Sequence, residues 1–116
     1  MAILRFHSAT GEQALEVEVA ASMTARLRGL LRRPPLASHQ GLLLSPCNMV
    51  HTAGMGYPLD LVFLRHDGRV LRVVSHVRPN RVRLCWRAWY TLELRAGTAA
   101  RCGIAAGMDL PVGRLT

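Results

Sequence analysis

Lysine is absent from this 116-residue chain, acidic residues are scarce and aromatic residues are few. Arginine supplies all 15 positive charges against seven Asp and Glu, so the formal net charge is +8 and the isoelectric point is near 11.2. The exclusive use of Arg is typical of coding bias in a GC-rich genome, although Arg is also the better ligand for phosphate and carboxylate. The net charge itself predicts attraction to polyanions and association that weakens with salt.

The chain also lacks paired cysteines and long apolar segments. Three cysteines without paired spacing exclude a disulfide framework and suit a reducing compartment. The N-terminus has no apolar segment followed by a small-residue cleavage site, and no stretch reaches the roughly 18 apolar residues of a membrane span. We therefore expect a cytoplasmic protein with no membrane span, folded as a single domain over residues 1–116.

Short segments with a period of two predict that the chain is mostly β. Apolar and acidic residues alternate at residues 15–19, and apolar runs occupy residues 3–6 and 41–44. The Asp67-Gly68 step between two β-rich segments is the strongest hairpin signal in the chain. Further strands are predicted at residues 59–65, 69–77 and 81–94, with short ones near residues 49–52 and 109–112.

Two short helices complete the predicted fold. Ser22 is a favoured N-cap for a helix over residues 23–33, which two prolines stop. A second helix of one or two turns runs over residues 98–102 and is closed by Gly103. The predicted class is α+β and mostly β, with a curled antiparallel or mixed sheet or a small barrel, and two short helices.

Several segments, taken in order, resemble one family. They are Arg28-Gly29-Leu30-Leu31-Arg32, Gly41-Leu42-Leu43-Leu44, Pro58-Leu59-Asp60-Leu61-Val62-Phe63-Leu64, Asp67-Gly68-Arg69-Val70, Leu92-Glu93-Leu94-Arg95-Ala96-Gly97, and then Gly103-Ile104 and Gly107. Together they resemble the bacterial and archaeal domain of unknown function family 192, over about residues 15–112. The resemblance implies a compact β-rich domain with few helices, and it leaves function open because the family carries no established activity.

One group of polar residues is a candidate catalytic or binding cluster. Its members are Arg26, Arg28, His51, Thr52, Asp60 and Glu93. Asp60 and Glu93 lie among apolar residues, where a carboxylate must pair or shift its pKa. With His51 they offer groups for acid–base work. The simpler interpretation, which we favour, is that Asp60 bonds loop amides and that Glu93 faces solvent or pairs with an Arg.

Metal and cofactor sites are not expected from the sequence. Cys47 and His51 are four residues apart, but a structural zinc site usually shows two close ligand pairs. No nucleophile elbow, phosphate-binding loop or dinucleotide fingerprint occurs in the chain. We therefore predict neither a bound metal nor a cofactor.

A segment that mixes arginines with aromatics is a candidate nucleic-acid interface. Read as one strand, it places four residues on a basic face, namely Arg81, Arg83, Arg87 and Trp89. The opposite, apolar face would carry Val82, Leu84, Trp86 and Tyr90. Such a face could follow phosphates while an aromatic ring stacks on bases, but an ordinary half-buried strand with an Arg-rich solvent side fits as well.

Together these features favour a non-enzymatic binding or accessory domain whose ligand is not specified. The partner is an unknown ligand or a polyanion, and the expected state is a monomer or weak dimer. The alternatives are a domain that binds single-stranded RNA or DNA through the basic face, and a small acid–base enzyme that uses His51, Asp60 and Glu93.

Overall fold

The computed structural model describes residues 2–21 and 35–115. Within these ranges the elements are β1 (Ala2–Ser8), β2 (Gly11–Ala20), β3 (Gln40–Leu44), β4 (Met49–His51), β5 (Leu59–Leu64), β6 (Val70–Val77), β7 (Val82–Leu84), β8 (Tyr90–Arg95), helix α1 (Thr98–Arg101) and a 3-10 helix (Val112–Leu115). The helix predicted over residues 23–33 lies outside the described residues, whereas the second predicted helix is present as α1.

Six strands form a mixed sheet in the order β1-β2-β3-β8-β5-β6. Only β2 and β3 run parallel, and every other neighbouring pair is antiparallel. The sheet curls into a half-barrel, and β4 and β7 form a separate two-stranded ribbon. These observations confirm the predicted fold class.

Both faces of the main sheet are covered, which explains why β5 is apolar along almost its whole length. Because side chains alternate across a strand, Val62 joins a first core cluster with residues of α1 and the C-terminal segment. Phe63 points the other way and joins a second cluster, which includes Val50 and Ala88 of the ribbon region. The ribbon is therefore anchored on one face of the sheet, and α1 on the other.

The predicted hairpin at Asp67-Gly68 joins β5 to β6. Gly68 has a φ of +90°, and a Cβ atom there would lie 2.3 Å from the carbonyl oxygen of Leu110. Glycine is therefore required both for the left-handed backbone and for the close approach of the C-terminal segment.

Two predicted strands differ from the structure. The segment over residues 81–94 is divided into β7 and β8, because β7 pairs with β4 in the ribbon while β8 lies between β3 and β5 in the main sheet. The strand expected near residues 109–112 is a single bridge between Asp109 and Arg69, followed by the 3-10 helix. Pro111 contributes to this difference, since proline has no N–H to donate to a ladder.

Candidate binding surface

The ribbon of β4 and β7 exposes an apolar outer face. Met49 pairs with Leu84 and His51 pairs with Val82, so these four side chains share one face of the ribbon, while Val50 lies on the other. Val50 is buried in the second core cluster, which makes its face the inner one. The outer face leaves 55% of Met49 and 59% of Val82 exposed to solvent.

Two exposed tryptophans follow the ribbon strand β7 in the chain. Trp86 lies in the turn after β7, where the N–H of Ala88 donates to the carbonyl of Cys85 (3.0 Å), and Trp86 is 81% exposed. Trp89 is half exposed, and its backbone N–H donates to the carbonyl of Leu64 (2.8 Å). In the described residues, five of the six exposed large hydrophobic side chains belong to this one region. Their exposed area, on the order of 500 Å², is at the upper end of what monomeric proteins leave uncovered.

A cleft of about 770 Å³ is lined by both tryptophans. Its lining also includes the residues Asn48, His66 and Arg87, and none of the described residues that line it is acidic. The volume lies within the range of roughly 300–1,000 Å³ that is typical of small-molecule sites. The cleft thus combines flat aromatic groups with hydrogen-bonding groups and one cation.

Four arginines without carboxylate partners lie on the ribbon or beside it. They are Arg72, Arg81, Arg83 and Arg87. In the part of the chain that the structure describes, none of these four forms an ion pair, and the bonds of the first three go to backbone carbonyls such as that of Leu84. No Asp or Glu occurs in residues 19–59 or 68–92, the segments that contain the ribbon. We call the five exposed apolar side chains and these four arginines the Trp–Arg surface.

Thr52, just after β4, anchors one end of the ribbon. Its buried hydroxyl donates to the carbonyl of Arg78 (2.7 Å) and accepts from the N–H of Arg81 (2.8 Å). Its own N–H donates to the carbonyl of Arg81 (2.8 Å), and its carbonyl accepts from the N–H of Asn80 (3.1 Å). Thr52, predicted as a member of the polar cluster, therefore joins the two strands of the ribbon.

The predicted basic strand face is wrong in its alternation. Arg83 lies on the inner side of the ribbon with Val50, whereas Val82 and Leu84, predicted to point inward, lie on the outer face. The alternation of side chains between two faces also ends at the turn that contains Trp86, because the chain leaves the ribbon there and enters the main sheet. Arg81, Arg83, Arg87 and Trp89 thus belong to one region of the surface without forming one face of a strand.

Asp60 is fully buried, and its bonds within the described residues all go to backbone amides. Its Oδ1 accepts from the N–H of His76 (2.9 Å), where β6 bulges and the φ of His76 is +57°. Its Oδ2 accepts from the N–H groups of Gly97 (2.9 Å) and Ala99 (3.0 Å) at the start of α1. Both carboxylate oxygens are therefore engaged in holding a bulge and a helix against the sheet.

Glu93 is also buried, at 4% exposure, but it lies on the other face of the main sheet. Asp60 pairs with Leu94, and Leu61 pairs with Glu93, so the two acidic side chains point in opposite directions. Asp60 faces the cluster that contains Leu94, and Glu93 faces the cluster that contains Leu61. The sheet itself separates these two candidate residues.

The phenol of Tyr57 lies on the same side of the sheet as Glu93. Its oxygen is buried and, among the residues that the structure describes, has no hydrogen-bond partner, although the backbone of Leu36 lies nearby. Burial raises the pKa of Tyr57, and the negative charge of Glu93 raises it further, while the Leu36 backbone opposes this shift. Tyr57 also lines a second cavity of about 560 Å³ with Arg95 at its rim.

Of the remaining predicted site residues, His51 is the one that the structure describes. His51 is exposed on the outer face of the ribbon, and Arg26 and Arg28 lie outside the described residues. The Sγ of Cys47 donates to the carbonyl of Met49 (3.2 Å). Among residues 2–21 and 35–115, no group of three His, Cys, Asp or Glu side chains could hold a metal ion.

The sequence pattern of one protein family matches residues 5–112, nearly the whole chain. That family is the domain of unknown function 192 (DUF192), described as "Uncharacterized ACR". The chain belongs to the DUF192 family. The resemblance drawn from the sequence segments is thereby confirmed.

Two solved structures are similar to this DUF192 domain. A protein of unknown function from Novosphingobium aromaticivorans DSM 12444 has a TM-score of 0.84 and 22% identity, with 94% of this chain and 83% of that chain covered. A protein from Sinorhizobium meliloti 1021, described as a "putative transcription regulator", has a TM-score of 0.83 and 28% identity, with 93% and 90% covered. No curated protein matches the chain.

Sequence reasoning missed three residues of the DUF192 domain's candidate surface. Trp86 is predicted to be buried, and Asn48 and His66 are not predicted as site residues at all, yet all three line the cleft. The one sequence signal concerns Trp86 alone: residues 68–92 contain no Asp or Glu, so no acidic side chain in that segment would repel an anion. None of the helices in the described ranges combines the length and apolar character that a membrane crossing requires.

Proposed function

We propose that this DUF192 domain is a non-catalytic binding domain whose Trp–Arg surface binds a phosphate-bearing partner. The observation that carries the proposal is the concentration of exposed hydrophobic side chains and unpaired arginines in one region. Apolar patches rimmed by polar residues are typical of interaction sites, and Trp and Arg dominate the binding energy of such sites. The description of the similar Sinorhizobium meliloti protein as a "putative transcription regulator" agrees with a polyanionic partner.

The surroundings of the buried acids support a non-catalytic role. A general acid or base must lie within hydrogen-bond reach of the group it serves. Both oxygens of Asp60 already accept from backbone amides, and the sheet separates Asp60 from Glu93. His51 is exposed on the ribbon, so these three residues have no shared cleft to support an acid–base reaction.

The proposal includes a cytoplasmic location in a bacterium and a monomeric or weakly dimeric state. All three cysteines are free thiols, which suits a reducing compartment. Both solved structures that resemble the chain come from bacteria.

The test uses inorganic polyphosphate, which carries phosphate charge without aromatic groups. We expect binding whose affinity falls steeply with salt, because each phosphate contact releases counterions. The double variant Arg72→Ala/Arg87→Ala should reduce affinity at least about tenfold and lower the slope of log K against log salt by about 2.

The matched control is Arg5→Ala/Arg114→Ala, which removes the same charge from exposed positions on β1 and the 3-10 helix. It should keep most of the affinity and most of the slope. Equal losses in the two double variants would show that net charge alone drives binding, and no binding at low salt would remove the proposal.

A further inference from the structure

We infer that the cleft lined by Trp86 and Trp89 accepts the bases of single-stranded RNA or DNA, while neighbouring arginines bind the phosphates. This inference rests on the proposed function and names its partner. It adds Trp86, Asn48 and His66 as contact residues, none of which lies on the basic strand face predicted from the sequence.

The aromatic part of the cleft fits a base. Both tryptophans are accessible to a ligand, and their indole rings offer flat faces on which any of the bases can stack. A cleft of about 770 Å³ has room for a purine together with its sugar. Arg87 is part of the lining and Arg72 bonds the carbonyl of Leu84, so cations lie where the backbone phosphates would run.

The polar groups of the cleft favour a base over a lipid. Asn48 offers an amide and His66 an imidazole, and both can bond the polar edge of a base. An acyl chain could form a hydrogen bond with neither group. Burial of the cleft in the hydrocarbon of a membrane would therefore leave polar atoms without partners. A phospholipid surface would use the same arginines, but it would have no use for a concave site.

Stacking in the cleft requires a base that is free of its neighbours. In a duplex the bases are paired and stacked on each other, so an enzyme or binding protein must extrude a base to reach its face. The inference therefore predicts a preference for single strands over duplexes of equal length, even though such a duplex carries about twice as many phosphates.

The experiment measures binding of the full chain to four probes at low salt. The first probe is a labelled oligothymidylate of about 12 nucleotides, a length that exceeds the shortest sites of single-strand binding proteins. The other three are an abasic oligonucleotide of equal length, a duplex of equal length, and vesicles of phosphatidylglycerol and phosphatidylcholine. We expect the oligothymidylate to bind at least about tenfold more tightly than the abasic strand and the duplex.

Variants of the exposed tryptophans identify the site. Trp86→Leu and Trp89→Leu should each weaken oligothymidylate binding at least about fivefold, because each removes a stacking surface, and should leave abasic-strand binding nearly unchanged. Trp86→Phe keeps an aromatic face and should restore most of the affinity. Ile3→Ala, which changes an exposed apolar residue on the distant edge strand β1, is the control and should have no effect.

The outcomes separate this inference from the proposed function. Equal binding of the oligothymidylate and the abasic strand would overturn the stacking inference while the phosphate-binding proposal stands. Tighter binding to vesicles than to the oligothymidylate, with a blue shift of tryptophan emission, would replace nucleic acid with a membrane. Failure of all four probes, together with failure of polyphosphate, would remove both.

Discussion

Asp60 provides the sharpest test of how the fold is held together. Replacing it with Ala removes the acceptor for three backbone N–H groups, those of His76, Gly97 and Ala99. The amide of Ala99 is buried, so its loss of a partner costs about 1–3 kcal/mol. The other two amides are partly buried and can be hydrated, which reduces their cost to about 0.5–1.5 kcal/mol each.

The expected total for Asp60→Ala is therefore a loss of about 2–6 kcal/mol in the free energy of unfolding. A domain of this size has a total stability of roughly 5–15 kcal/mol, so the variant should fold but unfold at a much lower denaturant concentration. Asp60→Asn keeps one acceptor oxygen and should lose about half as much. Urea unfolding followed by circular dichroism measures both losses.

The control is Asp109→Ala, which removes the same charge from an exposed ion pair with Arg69. Exposed pairs contribute about 0–1 kcal/mol, so this variant should remain close to the parent. Hydrogen exchange gives a second readout, since the amides of Gly97 and Ala99 should lose protection in Asp60→Ala alone. A loss below about 1 kcal/mol for Asp60→Ala, or a loss equal to that of the control, would refute a structural role for this carboxylate.

Three further substitutions test other parts of the structure. Tyr57→Phe should leave the free energy of unfolding unchanged or raise it by up to about 1 kcal/mol, because it removes a buried hydroxyl without a partner. The parent should also lose stability above about pH 10, because the unfolded phenol ionises there while the raised pKa of the folded phenol keeps it neutral. Tyr57→Phe should flatten this pH dependence in unfolding curves measured from pH 9 to 11. A steeper pH dependence in the variant would contradict the assignment. Thr52→Val should cost about 1–3 kcal/mol in urea unfolding, because it leaves two partly buried groups, the Arg81 amide and the Arg78 carbonyl, without their partner; no change would mean that the hydroxyl does not hold the ribbon. Gly68→Ala should cost at least about 2 kcal/mol in thermal unfolding. The control is Gly11→Ala, which should cost less, because φ is also positive there but an added Cβ would have no atom within 4 Å. Equal costs would show that the contact with Leu110 is unimportant.

The polar cluster shows where prediction from sequence reaches its limit. Their apolar near neighbours in the chain mark Asp60 and Glu93 as candidates, but the solvent-facing position considered for Glu93 is wrong, because its side chain is buried. Whether they meet depends on the register of β5 against β8, which pairs Asp60 with Leu94 and sends the two side chains to opposite faces. A register is a long-range property, so the one-dimensional pattern carries no information about it.

The Trp–Arg surface depends on the same kind of long-range pairing. The composition of residues 81–89 marks the segment as a candidate interface, but alternation assigns Val82 and Leu84 to the interior. The structure reverses this assignment: β7 pairs with β4, and Val50 is buried on the inner face, so Val82 and Leu84 are exposed on the outer face. The cleft also needs His66, which comes from the turn after β5.

Local interactions allowed the sequence alone to determine the Asp67-Gly68 hairpin, the short helix at Thr98–Arg101 and the β-rich character of the chain, since each depends on residues within a few positions of one another. The tertiary structure alone decided which faces are buried, that Asp60 holds a helix and a bulge, and that Trp86 and Trp89 line one cleft. Those outcomes depend on which strands pair. β3 pairs with β8 and β4 with β7 across tens of residues, so these partners are selected only when the whole core packs.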